Sequence, residues 1–564
     1  MYHIYVFIDE DTEYCYNIYP KPKNHVLTAK ILVQEKPYRL EPYLESAYEY
    51  GPKLNFATPW SSNILSLLNK SGINDIQRIE RSIRYSKPHD FDHITQMIYP
   101  QPLQSFQTTI TIPKTLYISD IEQFGIRNSL GFDKTDIDYY NKIFNQKLPT
   151  DIELFDLAQS NSEHSRHWFF KGDLYKNNKK INNNLFQIVQ STLPKESNSI
   201  IAFSDNSSAI QGAEIQTIIN NKLTTKKYHI TFTAETHNFP TGIAPFPGAA
   251  TGVGGRIRDN QSIGRGGLIV AGCAGYSVGD IYSNDYHDFP NSPLDILIQA
   301  SNGASDYGNK IGEPIIGGFT RSYRNIIDGK RVEYIKPIMF SSGIGLMDDE
   351  HKTKSLPDKD MIVVKVGGPA YKIGIGGGSA SSRSQNNQNK SVDMTAVQRG
   401  DPEMGNRINH FVRSCVELGK DNPILSIHDQ GAGGTGNVTK EIVYPNGATI
   451  NLDNVILGDE SMSPLEIWTA EFQEQNTILI NKNNYYKVQQ IAERENVPIA
   501  NIGFIDDKVK NKQWFGTVEV KSMDRFILFS KRKTYDSKLF ETLSITTGDY
   551  RELLYSPDVE EVMM

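Results

Sequence analysis

The stretch from Gln159 to Phe170, QSNSEHSRHWFF, sets two histidines, an arginine and a glutamate beside a Trp-Phe-Phe run. Imidazoles three residues apart on a helix meet on one face, so His164 and His167 could offer proton-transfer groups from the same side. A denser block, AETHNFPTGIAPFPGAATGVGGRIRD, runs from Ala234 to Asp259 and combines Glu235, His237, Asn238, Arg258 and Asp259 with many glycines. Read as a glycine loop, its N–H groups could approach phosphates unobstructed. Glu235 and Asp259 would then supply the oxygen ligands that a phosphate-bound Mg²⁺ prefers. His237, two residues from Glu235, shares its face if the segment is a strand, and could act as a base or stabiliser near transferring phosphate. The same glycines and prolines could instead mark tight turns. Further on, SIHDQGAGGTGN places His428 and Asp429 at the end of a strand-like run and before a glycine turn. That position suits metal or phosphate, or a cap on the next helix. VDMTAVQRGDPEM and EIWTAEFQEQ add Gln398, Arg399, Glu471 and Gln473, polar groups flanked by apolar ones.

Familiar motifs fail on inspection. GASDYGNKIGEP has glycines at P-loop spacing, but no Ser or Thr follows Lys310, so the Mg-binding hydroxyl is missing. GIGGGSAS, from Gly374, follows the strand-like MIVVKVGGPAY without an acid at the spacing a ribose clamp needs. AGCAGY around Cys273 has the outline of a nucleophile elbow, yet no matching His and Glu accompany it, and small-residue packing explains it better.

The elements that must position these groups follow from bulk properties and periodicity. A chain of 564 residues is too long for one core, and a net charge of −7 without a basic block argues against nucleic-acid binding. No apolar run reaches a membrane span, and the acidic N-terminus lacks a signal layout, so no membrane partner and a cytoplasmic location are expected. Cys15, Cys273 and Cys415 are too far apart and too few for a disulfide framework. Residues 1–145 alternate strand-like runs (IYVFI, TTITIP, TLYIS) with helical patches such as SSNILSLLNKSG, a small α+β domain. Residues 146–200 read as a helical linker carrying SEHSRH, 201–355 as a β-rich glycine-dense domain, 356–530 as a second αβ domain after the hinge DDEHKTKSLPDKD, and 531–564 as a tail. The asparagine-rich KNNKKINNN and SQNNQNK suit surface loops.

Taken together and in order, the blocks EYGPKLNFATPWSSN, LAQSNSEHSRHWFFKG, FSDNSSAIQG, AETHNFPTGIAPFPGAATGVGGRIRD, ASNGASDYGNKIGEPIIGGFTR, KPIMFSSGIG, VQRGDPEM and IHDQGAGGTGN closely resemble the phosphoribosylformylglycinamidine synthase family, also called formylglycinamide ribonucleotide amidotransferase. They cover about residues 49 to 475. The resemblance implies an α/β and α+β multidomain fold: a small N-terminal α+β domain, a helical linker, then N- and C-type domains like those of aminoimidazole ribonucleotide synthetase. It implies an ATP-dependent ligase of purine biosynthesis, in which ATP phosphorylates the amide oxygen of formylglycinamide ribonucleotide and ammonia from a glutaminase displaces the phosphate. The cofactors implied are ATP and Mg²⁺.

Carried over residue by residue, His237 resembles the general base and His164 the active-site histidine, while Glu235, Asp259 and Asp429 resemble Mg²⁺ ligands. Thr236, Asn238, Phe239, Arg258, Gln398, Glu471, Phe472 and Gln473 match substrate-contacting positions. Gly248, Ala249, Ala250, Thr251, Gly252, Val253, Gly254, Gly255, Arg256, Ile257, Arg258 and Asp259, with Gly317, Gly318 and Phe319, match nucleotide-binding segments. Phe472 departs from relatives with a smaller residue there, which puts a side-chain contact in doubt. Large members continue with a second synthetase half and a glutaminase, and neither is read after about residue 525. The expectation is therefore a homodimer or a second polypeptide supplying the other half, with no glutaminase activity. The alternative is a non-catalytic nucleotide-binding or regulatory partner subunit.

Overall fold

The computed structural model describes residues 1–506 apart from 35, 145–147, 161, 173–174, 177–178, 181, 220, 287–288 and 382–389, together with 518–521. The expected tail and much of the two asparagine-rich pieces lie outside the described residues. The chain forms two compact units, one of residues 1–113 with 369–371 and 457–463, the other of the remainder.

In the first unit, period-two alternation of apolar residues builds a six-stranded antiparallel sheet, in the spatial order Tyr38–Arg39, Tyr2–Asp9, Thr12–Tyr19, Arg78–Tyr85, Tyr48–Pro52, Gln96–Tyr99. Ile4, Val6, Ile18 and Ile79 bury one face under helices His25–Val33 and Pro59–Lys70. The latter helix starts on Thr58, whose hydroxyl accepts from the Ser61 N–H at 3.1 Å, with Pro59 in its first turn. IYVFI and SSNILSLLNKSG thus take the elements expected of them. TTITIP and TLYIS do not become strands. Both faces of the first are exposed, no neighbouring strand among the described residues offers it a ladder, and Pro113 interrupts it.

The first unit also closes at Pro113 rather than near residue 145. Ile121, Leu130, Tyr140 and Phe144 instead bury against Leu154, Phe155, Leu157 and Ala158, a cluster that joins helices Ile121–Arg127 and Lys134–Phe144 to the linker helix Asp151–Ser160. Beyond that helix the expected continuous turn pattern fails. Helices Glu163–Arg166 and Trp168–Lys171 are separated by His167 at φ 57°, in the left-handed region, so His164 and His167 do not share a helix face.

The rest of the second unit is built on two six-stranded sheets. The first runs Ile315–Ser322, Leu268–Val278, Ile338–Asp348, Lys222–Thr236, Ser208–Ile219, Ser199–Ile201. One face carries helices Pro245–Gln261 and Pro293–Ile311, with Ala249, Val253 and Ile257, four residues apart, buried against Ala300, Ala304 and Tyr307. The expected glycine loop is therefore a helix of 17 residues. Pro245 starts it, and its glycines serve close packing rather than an open backbone. A Cβ on Gly248 would stand 2.4 Å from the Pro240 carbonyl carbon, and one on Gly252 2.9 Å from both His237 Cβ and Met339 Sδ. The second sheet runs Ser426–Asp429, Gln475–Asn481, Met361–Gly367, Ile499–Asp506, Gly447–Asn451, Val518–Lys521. Helices Pro402–Val416 and Tyr485–Glu495 cover it through Ile408, Phe411, Val412, Val488 and Ala492.

The same helix supplies a paired test. Gly252→Ala should cost about 1–3 kcal/mol in thermal or urea unfolding, because the His237 Cβ is fixed to its own backbone and cannot withdraw. In Gly255→Ala the nearest atom would be 3.6 Å away. That change should be neutral or stabilising by up to about 1 kcal/mol through helix propensity.

Candidate active site

Strand Lys222–Thr236 turns alternate residues onto helix Pro245–Gln261. Thr231 donates to Asn260 Oδ1 at 2.9 Å, Thr233 to Asp259 Oδ2 at 3.2 Å, and Glu235 lies beside Gly255 and Arg258. His237 follows the strand, and its Nδ1 lies 2.8 Å from the Gly248 carbonyl oxygen. A carbonyl only accepts, so Nδ1 carries the proton and the Nε2 lone pair is left free. Burial pushes His237 down to about 4, assisted by the positive charge of Arg258 and by His164. The imidazole is neutral across the physiological range.

Arg258 is almost fully buried at the centre of the site. It donates through Nη2 to Gln473 Oε1, and its Nη1 and Nε lie 3.5 Å from Glu474 Oε1 and 3.8 Å from Asp429 Oδ2. Tyr307 donates to the same Glu474 oxygen at 3.0 Å. Burial works against the guanidinium charge, but the surrounding acids outweigh it and hold the group protonated. Three carboxylates meet nearby. Burial and the Asp429 charge raise Glu235 to about 7, and burial with Asp429 and Glu235 holds Asp259 well above the ordinary range. Burial would raise Asp429 as well, yet the His428 hydrogen bond and neighbouring cations bring it below. Asn206 Nδ2 donates to Asp429 Oδ1. Among the described residues no three His, Cys, Asp or Glu side chains stand ready to close on one metal ion.

A second cradle lies on the C-type side. Glu471 Oε1 accepts from the N–H groups of Gly378 at 3.1 Å and Gly433 at 2.9 Å, while Oε2 accepts from Gln398 Nε2. Burial raises Glu471 to about 7. The short helix Gly377–Ser381 packs on the linker helix, on the His164 turn and on helix Asn238–Ile243. His164 is accessible from one side but set deep among protein atoms. Burial, then His167 and Lys336, push it to about 4.

The structure thus gathers His164, Glu235, His237, Arg258, Asp259, Gln398, Asp429, Glu471 and Gln473. Most other expected residues are taken up by packing or by bonds of their own, some of them against His237 itself, as at Gly252 and at Thr251, whose Oγ1 lies 3.3 Å from His237 Nδ1. Arg256 is consumed by a buried pair with Glu313, and Ala249, Ala250, Val253 and Ile257 are core. Thr251 donates to the Pro247 carbonyl at 2.8 Å. Asn238 Oδ1 is occupied by the Met339 N–H at 3.0 Å, Phe239 packs with Ala380, Ala396 and Val397, and the Phe472 ring is buried, its carbonyl accepting from Gln430. Thr236 is exposed at the strand end. Gly317, Gly318 and Phe319 lie on the exposed edge strand Ile315–Ser322, and Phe319 covers Gly275 on the face turned away from the helices. Sequence reasoning missed Asn206, Tyr307 and Glu474, although the first two lie within blocks that carried the resemblance and the third within EIWTAEFQEQ.

A half built of small-residue helices on a mixed sheet, joined through a buried arginine and acids to a second αβ half, defines the class of AIR-synthase-related proteins. The model described as AIR synthase related protein, C-terminal domain, matches residues 359–512. The formylglycinamide ribonucleotide amidotransferase linker domain matches 121–167, and the N-terminal domain of the same name matches 13–103. A Dictyostelium discoideum phosphoribosylformylglycinamidine synthase is 45% identical over 562 residues, 87% of this chain and 41% of the relative. The Homo sapiens enzyme of that name is 44% identical, over 81% of this chain and 38% of the relative. A solved structure of T. maritima PurL complexed with FGAR aligns at TM-score 0.48 and 20% identity, covering 69% of this chain and 54% of that one. The chain belongs to the phosphoribosylformylglycinamidine synthase family. It spans about two fifths of the length of the curated relatives it matches. Among the described residues no helix is long and apolar enough to cross a membrane.

Glu471 yields a pH test. Its folded value near 7 lies above the ordinary carboxylate value of 4.5. An acid raised on folding contributes stability that is present below its unfolded value and is lost as pH rises through the folded one. Between pH 5 and 8 the wild type should therefore lose about 2–3 kcal/mol relative to Glu471→Gln, read by urea unfolding at each pH. Curves that stay parallel would show that Glu471 is ionised throughout.

Proposed function

We propose that this chain carries the substrate- and nucleotide-binding part of a phosphoribosylformylglycinamidine synthase, which converts formylglycinamide ribonucleotide to formylglycinamidine ribonucleotide with ATP and glutamine-derived ammonia. The observation that carries this reading is the group of three interacting carboxylates, Glu235, Asp259 and Asp429, held beside buried Arg258 and neutral His237 in a chain of this family. Glu235, Asp259 and Asp429 are the residues we assign to Mg²⁺, which would have to draw together carboxylates that do not yet close on one ion. Their crowding raises two of the three above the ordinary range, a strain that a divalent cation relieves. When bound, the ion neutralises phosphate charge on ATP.

The chain's own residues supply the rest. The Gly248 carbonyl holds the proton of His237 on Nδ1, so the Nε2 lone pair is available to take a proton from attacking ammonia. A second imidazole held neutral, His164, stands close enough that a charge on it would disfavour protonation of His237. Arg258 holds Asp429 and Gln473 in place and cannot itself act as base.

Asp259→Asn should weaken Mg-dependent ATP binding by about tenfold or more while melting stays near wild type. Calorimetry with and without Mg²⁺ measures this. Unchanged affinity in the presence of the ion removes Asp259 from the site.

The first sheet's outer face supports an assembled enzyme. Ile210, Ile230, Phe232, Val270, Phe319 and Ile344 are exposed large apolar residues, all on strands of that sheet. Covering them is favourable at about 25 cal/mol per Å². We assign the face to contact with a second synthetase half, supplied by another copy of the chain or by a second polypeptide. Light scattering of the isolated chain should give a mass above 63.6 kDa, and Phe232→Glu should lower it. A fully active wild-type monomer contradicts the assignment.

A further inference from the structure

The linker helix Asp151–Ser160 is buried along its whole length, and its last turn contains a residue that no motif singled out. Gln159 is only 2% exposed. Its side-chain Oε1 accepts from the Ser379 N–H at 3.0 Å. A flipped amide would set two donors face to face, so Ser379 fixes its orientation. Ser379 follows Gly378, whose own N–H holds Glu471 Oε1. The main-chain carbonyl of Gln159 accepts from the hydroxyls of Ser162 and Ser165, both at 3.0 Å, the serines that bracket His164. One turn back, Asp156 receives Lys440 Nζ at 2.8 Å and Trp468 Nε1 at 3.2 Å, which pins the helix to the C-type domain. The contact leaves no slack: a Cβ at Gly378 would stand 2.6 Å from Gln159 Oε1.

We infer that Gln159 is a positioning residue that sets the turn bearing His164 against the glycine-rich turn that holds Glu471. The carboxamide touches neither His164 nor Glu471 by hydrogen bond. It acts by fastening the two backbone segments that carry them, one through its side chain and the other through its carbonyl. The glycine turn at Gly374, Gly376 and Gly378 offers no side chain with which to make the link itself. Loss of the side-chain acceptor orphans a buried N–H and frees one turn from the other.

Among the described residues the Gln159 Nε2 has no partner, which separates the atoms in a test. Gln159→Glu, studied at pH 6 where a buried carboxyl takes up a proton, keeps the acceptor for Ser379 and drops only the unused amino group. Gln159→Leu drops the acceptor at similar volume, and Gln159→Ala serves as second variant should Leu not fold. Amide hydrogen exchange of residues 374–381 and 162–171 is measured by mass spectrometry, beside formylglycinamide ribonucleotide affinity by calorimetry. The affinity arm rests on the proposed function. In Gln159→Leu both turns should exchange about tenfold faster and affinity should fall about tenfold. Gln159→Glu should stay within twofold of wild type on every readout. A Glu variant as impaired as Leu, or a Leu variant unchanged in both exchange and affinity, overturns the inference. Wild type that binds no ribonucleotide overturns the proposed function instead, while exchange still judges Gln159.

Discussion

A guanidinium without water around it must be matched by the protein, and Arg258 is such a group. Its partners come from two sides: helix Pro245–Gln261 carries it, while Asp429, Gln473 and Glu474 come from the second αβ half. An isolated buried charge costs several kcal/mol, so the two halves are held to the spacing that satisfies it. Glu235 and Asp259 then fall beside it because the strand and helix that bear them are fixed to the same group. The arginine discriminates geometry more than it adds stability, since a buried ion pair roughly balances its desolvation.

The glycines of helix Pro245–Gln261 follow from the same constraint. Arg258 reaches its partners only if the helix lies close on the sheet, and that approach excludes a Cβ at Gly252, as the backbone of helix Asn238–Ile243 does at Gly248. Glycine weakens a helix by about 1 kcal/mol per position, which Ala249, Val253 and Ile257 offset by burial against helix Pro293–Ile311. Local preference loses to tertiary packing in this segment.

That contest explains what could be read in the sequence. The turn after His428–Asp429 and the strand that carries Glu235 were legible, because strand periodicity and glycine punctuation agree with the fold there. The glycine helix was not, since propensity pointed to a loop and the opposing contacts come from residues as distant as Tyr307 and Met339. His164 and His167 parted for a related reason: helical spacing was present, but the left-handed backbone of His167 ends the first helix. Gln159, Asn206 and Glu474 carry no local signal. Their partners lie 220, 223 and 216 positions away, in Ser379, Asp429 and Arg258 respectively.

One strand joins the acid cluster to the exposed apolar face. Along Lys222–Thr236, Thr231, Thr233 and Glu235 turn toward the helix, while Ile230 and Phe232 turn to the exposed face. With a strict period of two, a slip of one residue would send Glu235 outward and an apolar residue into the acid cluster. The register is held by pairing with Ile338–Asp348, in which Glu235 stands opposite Ser341 and Phe232 opposite Ile344. Whatever covers the outer face therefore presses on the backbone that aims Glu235 and, one residue past the strand's end, His237. Exposure of the apolar face and placement of the acid are two sides of a single register, so the site's geometry and the outer face respond to the same strand.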